Sequence, residues 1–313
     1  MPVHGLHEDC EGRDERRDLT LSLTLADVEV DSPKTLTEAL RMLNKTKYKV
    51  IAGGTDVLIR MRAGPITDEK LLNIYQLDEL RHVRSVGDKI HIGALTCIAD
   101  ISSSPEVRRF GLPLAQAGDD FGSMQLTNKA TIGGNLANAS PSGDCIPPLY
   151  SLDAKLTLAS VDGEREILVK DFFKGYKQLD LRPNELIKEI SFRKMAKDEH
   201  GLYLRHTLRF GEAISVVGVS MCLKSGANSE EFVAARIALG AVAPTVVRAT
   251  KSEEIVTQGP LDEGRIRAAS QAVTGSIAPI TDVRGTGEYR REMAVNLTYR
   301  GLHEILAKEK GSR

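Results

Sequence analysis

The sequence has little that would identify it quickly. Its four cysteines, Cys10, Cys97, Cys145 and Cys222, stand far apart with no CxxC pair, which argues against a zinc or iron–sulfur site in this chain and fits reduced cytosolic thiols. No apolar run reaches the length of a bilayer span, and the opening MPVHGLHEDCEGRDERRDL is too charged for the apolar stretch of a signal peptide. The expected location is therefore the cytoplasm, with no direct membrane insertion. Net charge is missing too: 42 Lys plus Arg against 43 Asp plus Glu leave −1, which gives no general pull towards nucleic acid. There is no GxSxG elbow, no HExxH and no paired arrangement among the seven histidines, so nothing points to a hydrolase. Internal repeats, heptads and low-complexity tracts are absent as well.

What the chain does have is length and a core. With 313 residues, 41% of them hydrophobic, it can bury two or three compact units. Residues 1–19 are charged and poor in large apolar side chains and read as an extension. His4, His7 and Cys10 share one helical face there, a spacing that either suits a metal or is incidental. Order is expected from about Leu19. SPKTLTEALRMLNK reads as a capped helix with Leu36, Ala39, Leu40 and Leu43 on one face. KVIAGG reads as a strand closed by two glycines, and VLIRMR as a resumed alternating, strand-like pattern. KIHIGALTCIADI is a strand leading into a helix, Leu112–Phe121 a helix, and NKATIGGNLANASPSGD a loop with at most a short helical turn. KLTLAS and EREILV pair as a hairpin at Asp162 and Gly163. From about Ser191 long strands, AISVVGVSMCL and FVAARIALGAV, precede helices over Leu261–Ala272 and Glu288–Ala307. The class is α+β, with helices on mixed or antiparallel sheets.

Two segments could hold an anion. In Ala52, Gly53, Gly54, Thr55 and Asp56 the missing side chains let backbone N–H groups approach a ligand, and a pyrophosphate is a natural guest. The segment matches neither GxxxxGK[ST] nor GxGxxG, and taken alone it could be only a turn. Thr131, Ile132, Gly133, Gly134 and Asn135, followed by Ser140, Ser142 and Asp144, form a second loop. It offers glycine amides, hydroxyls and an acidic acceptor suited to ribose, or is merely a polar surface loop. Two such loops on either side of one diphosphate are more selective than either one.

IAGGTDVLIRMRAG and ATIGGNLANASPSGDCIPPLYSLDA together resemble the two FAD-binding signatures of the medium, flavoprotein subunits of the xanthine dehydrogenase and carbon monoxide dehydrogenase class of molybdenum hydroxylases. DKIHIGALTCIADI, LRPNELIKEI, RIALGAVAPTVVRA and DVRGTGEYRREMA follow in the family's order, so the resemblance spans about residues 20–305. It implies a two-subdomain FAD-binding domain of the PCMH type, related to the vanillyl-alcohol oxidase fold, over residues 20–193 and divided near residue 75. A C-terminal domain with a small antiparallel sheet and helices would occupy 194–313.

By the same resemblance, Gly53, Gly54 and Thr55 would grip the diphosphate of a non-covalent FAD, with the backbone of Val50, Ile51, Ala52 and Asp56 completing that loop. Thr131, Ile132, Gly133 and Gly134 would grip it from the other side. Asn135, Ser142 and Asp144 would serve the phosphate–ribose–adenine half, Ile187 would lie near the adenine or flavin, and Arg205 falls where relatives commonly have a lysine. The implied partners are a large subunit with the molybdenum cofactor, a small subunit with two [2Fe-2S] clusters and an external electron carrier, assembled as a dimer of heterotrimers. Two features depart from relatives. The second loop lacks the cysteine-bearing insertion of the hydroxybenzoyl-CoA reductases, so no further cluster is expected here, and Leu181 stands near the position where many relatives carry a threonine. The rival readings are a self-sufficient FAD-dependent oxidoreductase of related fold and a cofactor-free scaffold.

Overall fold

The computed structural model describes residues 28–63, 70–209, 211–228 and 230–311. The expected extension over 1–19, His4, His7 and Cys10, and the start of order near Leu19 all lie outside the described residues.

The first unit is built around a reciprocal helix start. The Thr35 hydroxyl accepts the Glu38 amide at 3.2 Å, and the Glu38 carboxylate accepts the Lys34 amide at 2.7 Å, so two otherwise orphaned donors are satisfied. The helix that follows, α1 (Leu36–Lys45), buries Leu36, Ala39, Leu40 and Leu43, the face that the sequence spacing predicts. It packs on a parallel sheet of β1 (Val30–Asp31), β2 (Tyr48–Ile51) and β3 (Lys70–Asn73), ordered β1-β3-β2.

VLIRMR, read from the sequence as alternating strand, is a helix: α2 (Val57–Ala63). Helical spacing wins because Val57 and Met61, four apart, turn inwards while Leu58 and Ile59 stay exposed. The Leu58 amide also starts the helix by donating to the Gly54 carbonyl at 3.0 Å. A run of six apolar and basic residues cannot by itself distinguish the two periods.

The second unit is an antiparallel sheet of β4 (Val83–Val86), β5 (Lys89–Gly93), β6 (Lys155–Ser160), β7 (Gly163–Leu168) and, entering last, β10 (Leu186–Arg193), in the order β4-β5-β10-β6-β7. Ile90, Ile92, Leu156, Leu158, Ile190 and Phe192 point to one face. The helices between β5 and β6 supply the rest of that core: α3 (Ile98–Ser103), α4 (Pro105–Phe110), α5 (Leu112–Asp119), α6 (Met124–Thr127), α7 (Ile132–Asn138) and α8 (Ile146–Ser151). After β7 comes the single turn α9 (Val169–Phe172), and then a two-stranded clip, β8 (Phe173–Gly175) and β9 (Gln178–Leu179). The expected β6–β7 hairpin forms, with Ser160 paired to Gly163. The NKATIGG stretch holds more helix than the sequence suggests, because Thr131 caps two turns of α7.

A separate hydrophobic cluster forms the C-terminal unit. Its antiparallel sheet runs in chain order through β11 (Glu199–His206), β12 (Val217–Ser225), β13 (Phe232–Gly240) and β14 (Val247–Arg248). The helices α10 (Thr250–Val256), α11 (Glu263–Ala272) and α12 (Gly287–Gly311) complete it. The last helix outruns its expected end at Ala307. Glu309 is buried there and accepts the Ser225 hydroxyl at 2.8 Å, with the His200 ring Nε2 2.7 Å from the same oxygen, which holds the final turn against the sheet. Among the described residues no helix is long and apolar enough to cross a membrane.

Candidate functional site: a cleft between two glycine loops

The two glycine segments touch. A side-chain carbon at Gly53 would fall 1.7 Å from the carbonyl oxygen of Lys129, so the turn after β2 is pressed onto the backbone that leads into α7. Gly54 beside it has φ +74°, a conformation that costs a side-chain-bearing residue about 1 kcal/mol. The amides of Gly53, Gly54, Thr55 and Asp56 have no hydrogen-bond partner among the described residues. Four successive free donors in a tight turn make a concave anion nest.

The second loop is built differently. The Thr131 hydroxyl accepts the Gly134 amide at 3.1 Å and its carbonyl accepts the Asn135 amide at 2.9 Å, while the amides of Ile132 and Gly133 donate to Thr96 and Ala94. Its glycines therefore serve close packing: a side-chain carbon at Gly133 would lie 2.7 Å from the Ala94 carbonyl oxygen. The amides of Ile132–Asn135 are thus already used, and what this stretch turns to the space between the loops is side chains. One of them, Asn135, has a buried Oδ1 with no partner among the described residues, an acceptor whose burial is costly unless a ligand donor reaches it.

Between the loops lies a cleft of about 1190 Å³. All sixteen residues singled out from the sequence line it except Ile51, Ile132 and Arg205. Ile51 is half-buried in β2 and Ile132 is fully buried in the core. Arg205 stands behind Asp144, donating to its Oδ2 from Nη1 at 2.9 Å and to the carbonyl of Asp120. Asp144 also accepts the hydroxyls of Tyr203, at 2.8 Å, and Ser215, so its two oxygens tie the second loop to the C-terminal sheet. Burial raises its carboxyl above the usual range, and Arg205 and the two hydroxyls oppose that shift. Ile187 reaches the cleft where β10 slips register between Ile187 and Glu189.

Several lining groups escape sequence reasoning. Phe121 and Leu126 give the cleft apolar wall, and Ile214, on the β11–β12 connection, stands 53% exposed at its edge. Glu185 is held by Arg165, whose Nε and Nη2 donate to its two oxygens at 2.7 and 2.8 Å. That grip, against the effect of burial, keeps the Glu185 carboxyl below the usual carboxylate range. Arg60, on α2, pairs with Asp56, the residue just before that helix and four positions back, at 2.7 Å, a pairing that was visible in the sequence once that segment is read as helix. Lys177 and Asn138 give no local signal. Among the described residues no cluster of His, Cys, Asp or Glu is arranged to hold a metal ion.

Comparison with known proteins decides the family. A model described as the FAD binding domain in molybdopterin dehydrogenase matches residues 26–192, and one described as the CO dehydrogenase flavoprotein C-terminal domain matches residues 203–305. The chain belongs to this flavoprotein family. It is 28% identical to the xanthine dehydrogenase FAD-binding subunit of Escherichia coli O157:H7, over 87% of this chain and 94% of that one. It is also 28% identical to the nicotinate dehydrogenase FAD-subunit of Eubacterium barkeri, over 92% and 99%. Its structure matches that of carbon monoxide dehydrogenase from Hydrogenophaga pseudoflava with a TM-score of 0.85 at 30% identity, covering 90% of this chain and 97% of that one. The chain is thus the flavoprotein subunit of an oxidoreductase, and FAD is its cofactor. The cleft fits that group: free amides suit a diphosphate, the buried Asn135 acceptor suits a hydroxyl or amino donor, and the volume admits a dinucleotide.

Proposed function

We propose that this protein is the electron-transferring subunit of a heteromeric molybdenum hydroxylase, passing electrons from [2Fe-2S] clusters of a small partner to an external carrier. A large partner would hold the molybdenum cofactor and carry out the substrate chemistry. The observation that supports this most directly is the meeting of the four unpaired amides of Gly53–Asp56 with the second glycine loop across one cleft. In this reading the first loop holds the FAD diphosphate and Asn135 takes a donor from the adenosine half. Ser142 lines the same cleft. Ile187, Phe121 and Leu126 shield the cofactor from water, and Asp144 with Arg205 fixes the second loop against the C-terminal unit. When bound, the flavin supplies one- and two-electron chemistry, and the chain needs no general base of its own. The FAD-binding part would take residues 20–193 and the C-terminal part 194–313, in a cytoplasmic dimer of heterotrimers.

Co-purification of the tagged full chain from its own cells, with a visible spectrum, tests this. Flavin bands together with an iron–sulfur chain and a large molybdenum-bearing chain are expected. Flavin in a lone chain that turns over a substrate by itself would favour the self-sufficient oxidoreductase, and no flavin even after adding FAD would sink both.

A further inference from the structure

Four cations, Lys49, Arg60, Lys129 and Lys177, line the cleft. Lys129 turns its ammonium to the Tyr75 hydroxyl and ring, while Lys49, Arg60 and Lys177 act on one another on the side of the first loop. Arg60 Nη2, at 2.5 Å, and Lys177 Nζ, at 3.2 Å, both donate to one neutral oxygen, Asn138 Oδ1, while Asn138 Nδ2 donates to Asp56 Oδ1 at 3.1 Å. Two positive groups therefore share a single uncharged acceptor, and Asp56, paired with Arg60, is the carboxylate within this set. Three positive charges against one negative leave a surplus near +2, about the charge of a diphosphate. Partial loss of hydration first, then Arg60 and Lys49, press the pKa of Lys177 down, while Asp56 acts the other way. Asp56 joins the cations to the nest, since its side chain binds Asn138 and its amide is one of the four free donors. Lys177 belongs to neither loop. It comes from the turn of the β8–β9 clip, at φ +54°, and uses one of three ammonium donors on Asn138.

We propose that Lys177 is a cofactor-binding residue: with Arg60 and Lys49 it closes the clip over the FAD diphosphate and neutralises it beside the backbone nest. The inference rests on the flavin reading of the cleft. It gives β8–β9 a purpose, since the turn sets a cation against a cleft that two other segments build.

The full chain, stripped of flavin, is titrated with FAD, ADP-ribose and riboflavin, alongside Lys177→Met, Lys177→Asn and Lys177→Arg. Asn tolerates positive φ, so that variant keeps the turn. Both neutral variants should bind FAD and ADP-ribose about tenfold more weakly, as expected for loss of one charge-assisted hydrogen bond. Riboflavin, which has no diphosphate, should bind unchanged. The Arg variant should stay within about threefold of the parent, and high salt should narrow the gap between the parent and the neutral variants. Equal FAD affinity in the parent and both neutral variants would overturn the inference and leave the flavin reading intact. So would a loss of riboflavin binding as large as the loss of FAD binding. A parent chain that binds no FAD would bring down both.

Discussion

Gly53 lies directly against the carbonyl of Lys129, with no room for a side-chain carbon between them. This contact joins the first glycine turn to the second, so Gly53→Ala should separate the loops as well as strain one of them. Overpacking of this kind costs about 1–3 kcal/mol, and bound FAD should fall well below one per chain. Gly54→Ala is a different perturbation: the positive φ costs about 1 kcal/mol, and Leu58 Cδ1, at 3.0 Å from the new carbon, must move slightly. Thermal unfolding and flavin content of the two variants should therefore rank Gly53→Ala as the more damaging. A Gly53→Ala protein that retains full flavin would remove the loop contact from the argument.

A cleft that binds FAD only in the folded chain must transmit binding energy to stability. At FAD a hundredfold above its dissociation constant the gain is about 2.7 kcal/mol. A melting curve of the full chain should shift upwards with FAD and by less with riboflavin, which cannot reach the amide nest. Identical shifts for the two ligands would mean that the diphosphate makes no contact with Gly53–Asp56.

Much of this was legible in the sequence, and what was not has physical reasons. The α1 face, the β6–β7 hairpin and the long β12 and β13 strands follow from local periodicity, and both glycine segments announce close backbone approach. The helix α2 was misread because six apolar and basic residues fit either period until Met61 finds a core to enter. The sequence also presents the glycines of the two loops as equivalent, whereas Thr131 and Ala94 take up the amides of Gly134 and Gly133 and those of Gly53 and Gly54 stay free among the described residues. Hydrogen-bond partners that distant in the chain leave no trace in a motif. Lys177 and Asn138 are the extreme case, brought together by a clip and a helix 39 residues apart.

Asp144 anchors a buried polar cluster that spans the two units. With Arg205 only 8% exposed in its side chain, Asp144→Ala leaves a guanidinium without its carboxylate, at an expected cost of about 3–5 kcal/mol. Adding Arg205→Met removes the unpaired charge, so the double variant should be less destabilised than the sum of the two single changes. Urea unfolding of the four proteins gives the coupling. Strict additivity would mean that the pair contributes nothing as a pair.

Glu185 ties acid stability to the cleft. Hydrogen bonds from Arg165 lower its carboxyl below the ordinary range, burial opposes them, and the Arg182 amide adds to the lowering. A carboxyl depressed by folding contributes stability that is fully present above its unfolded pKa, about 4.3, and that disappears as pH falls through the lower folded value. Glu185→Gln removes the charge at every pH. It should therefore be less stable than the parent by about 1–3 kcal/mol at pH 7, with the two stability curves converging below about pH 4. Urea midpoints measured from pH 7 down to pH 3 test this, and curves that remain parallel would show that the Arg165 grip adds nothing to folding. Because Glu185 lines the cleft, FAD release should begin over the same acid interval in the parent, before global unfolding.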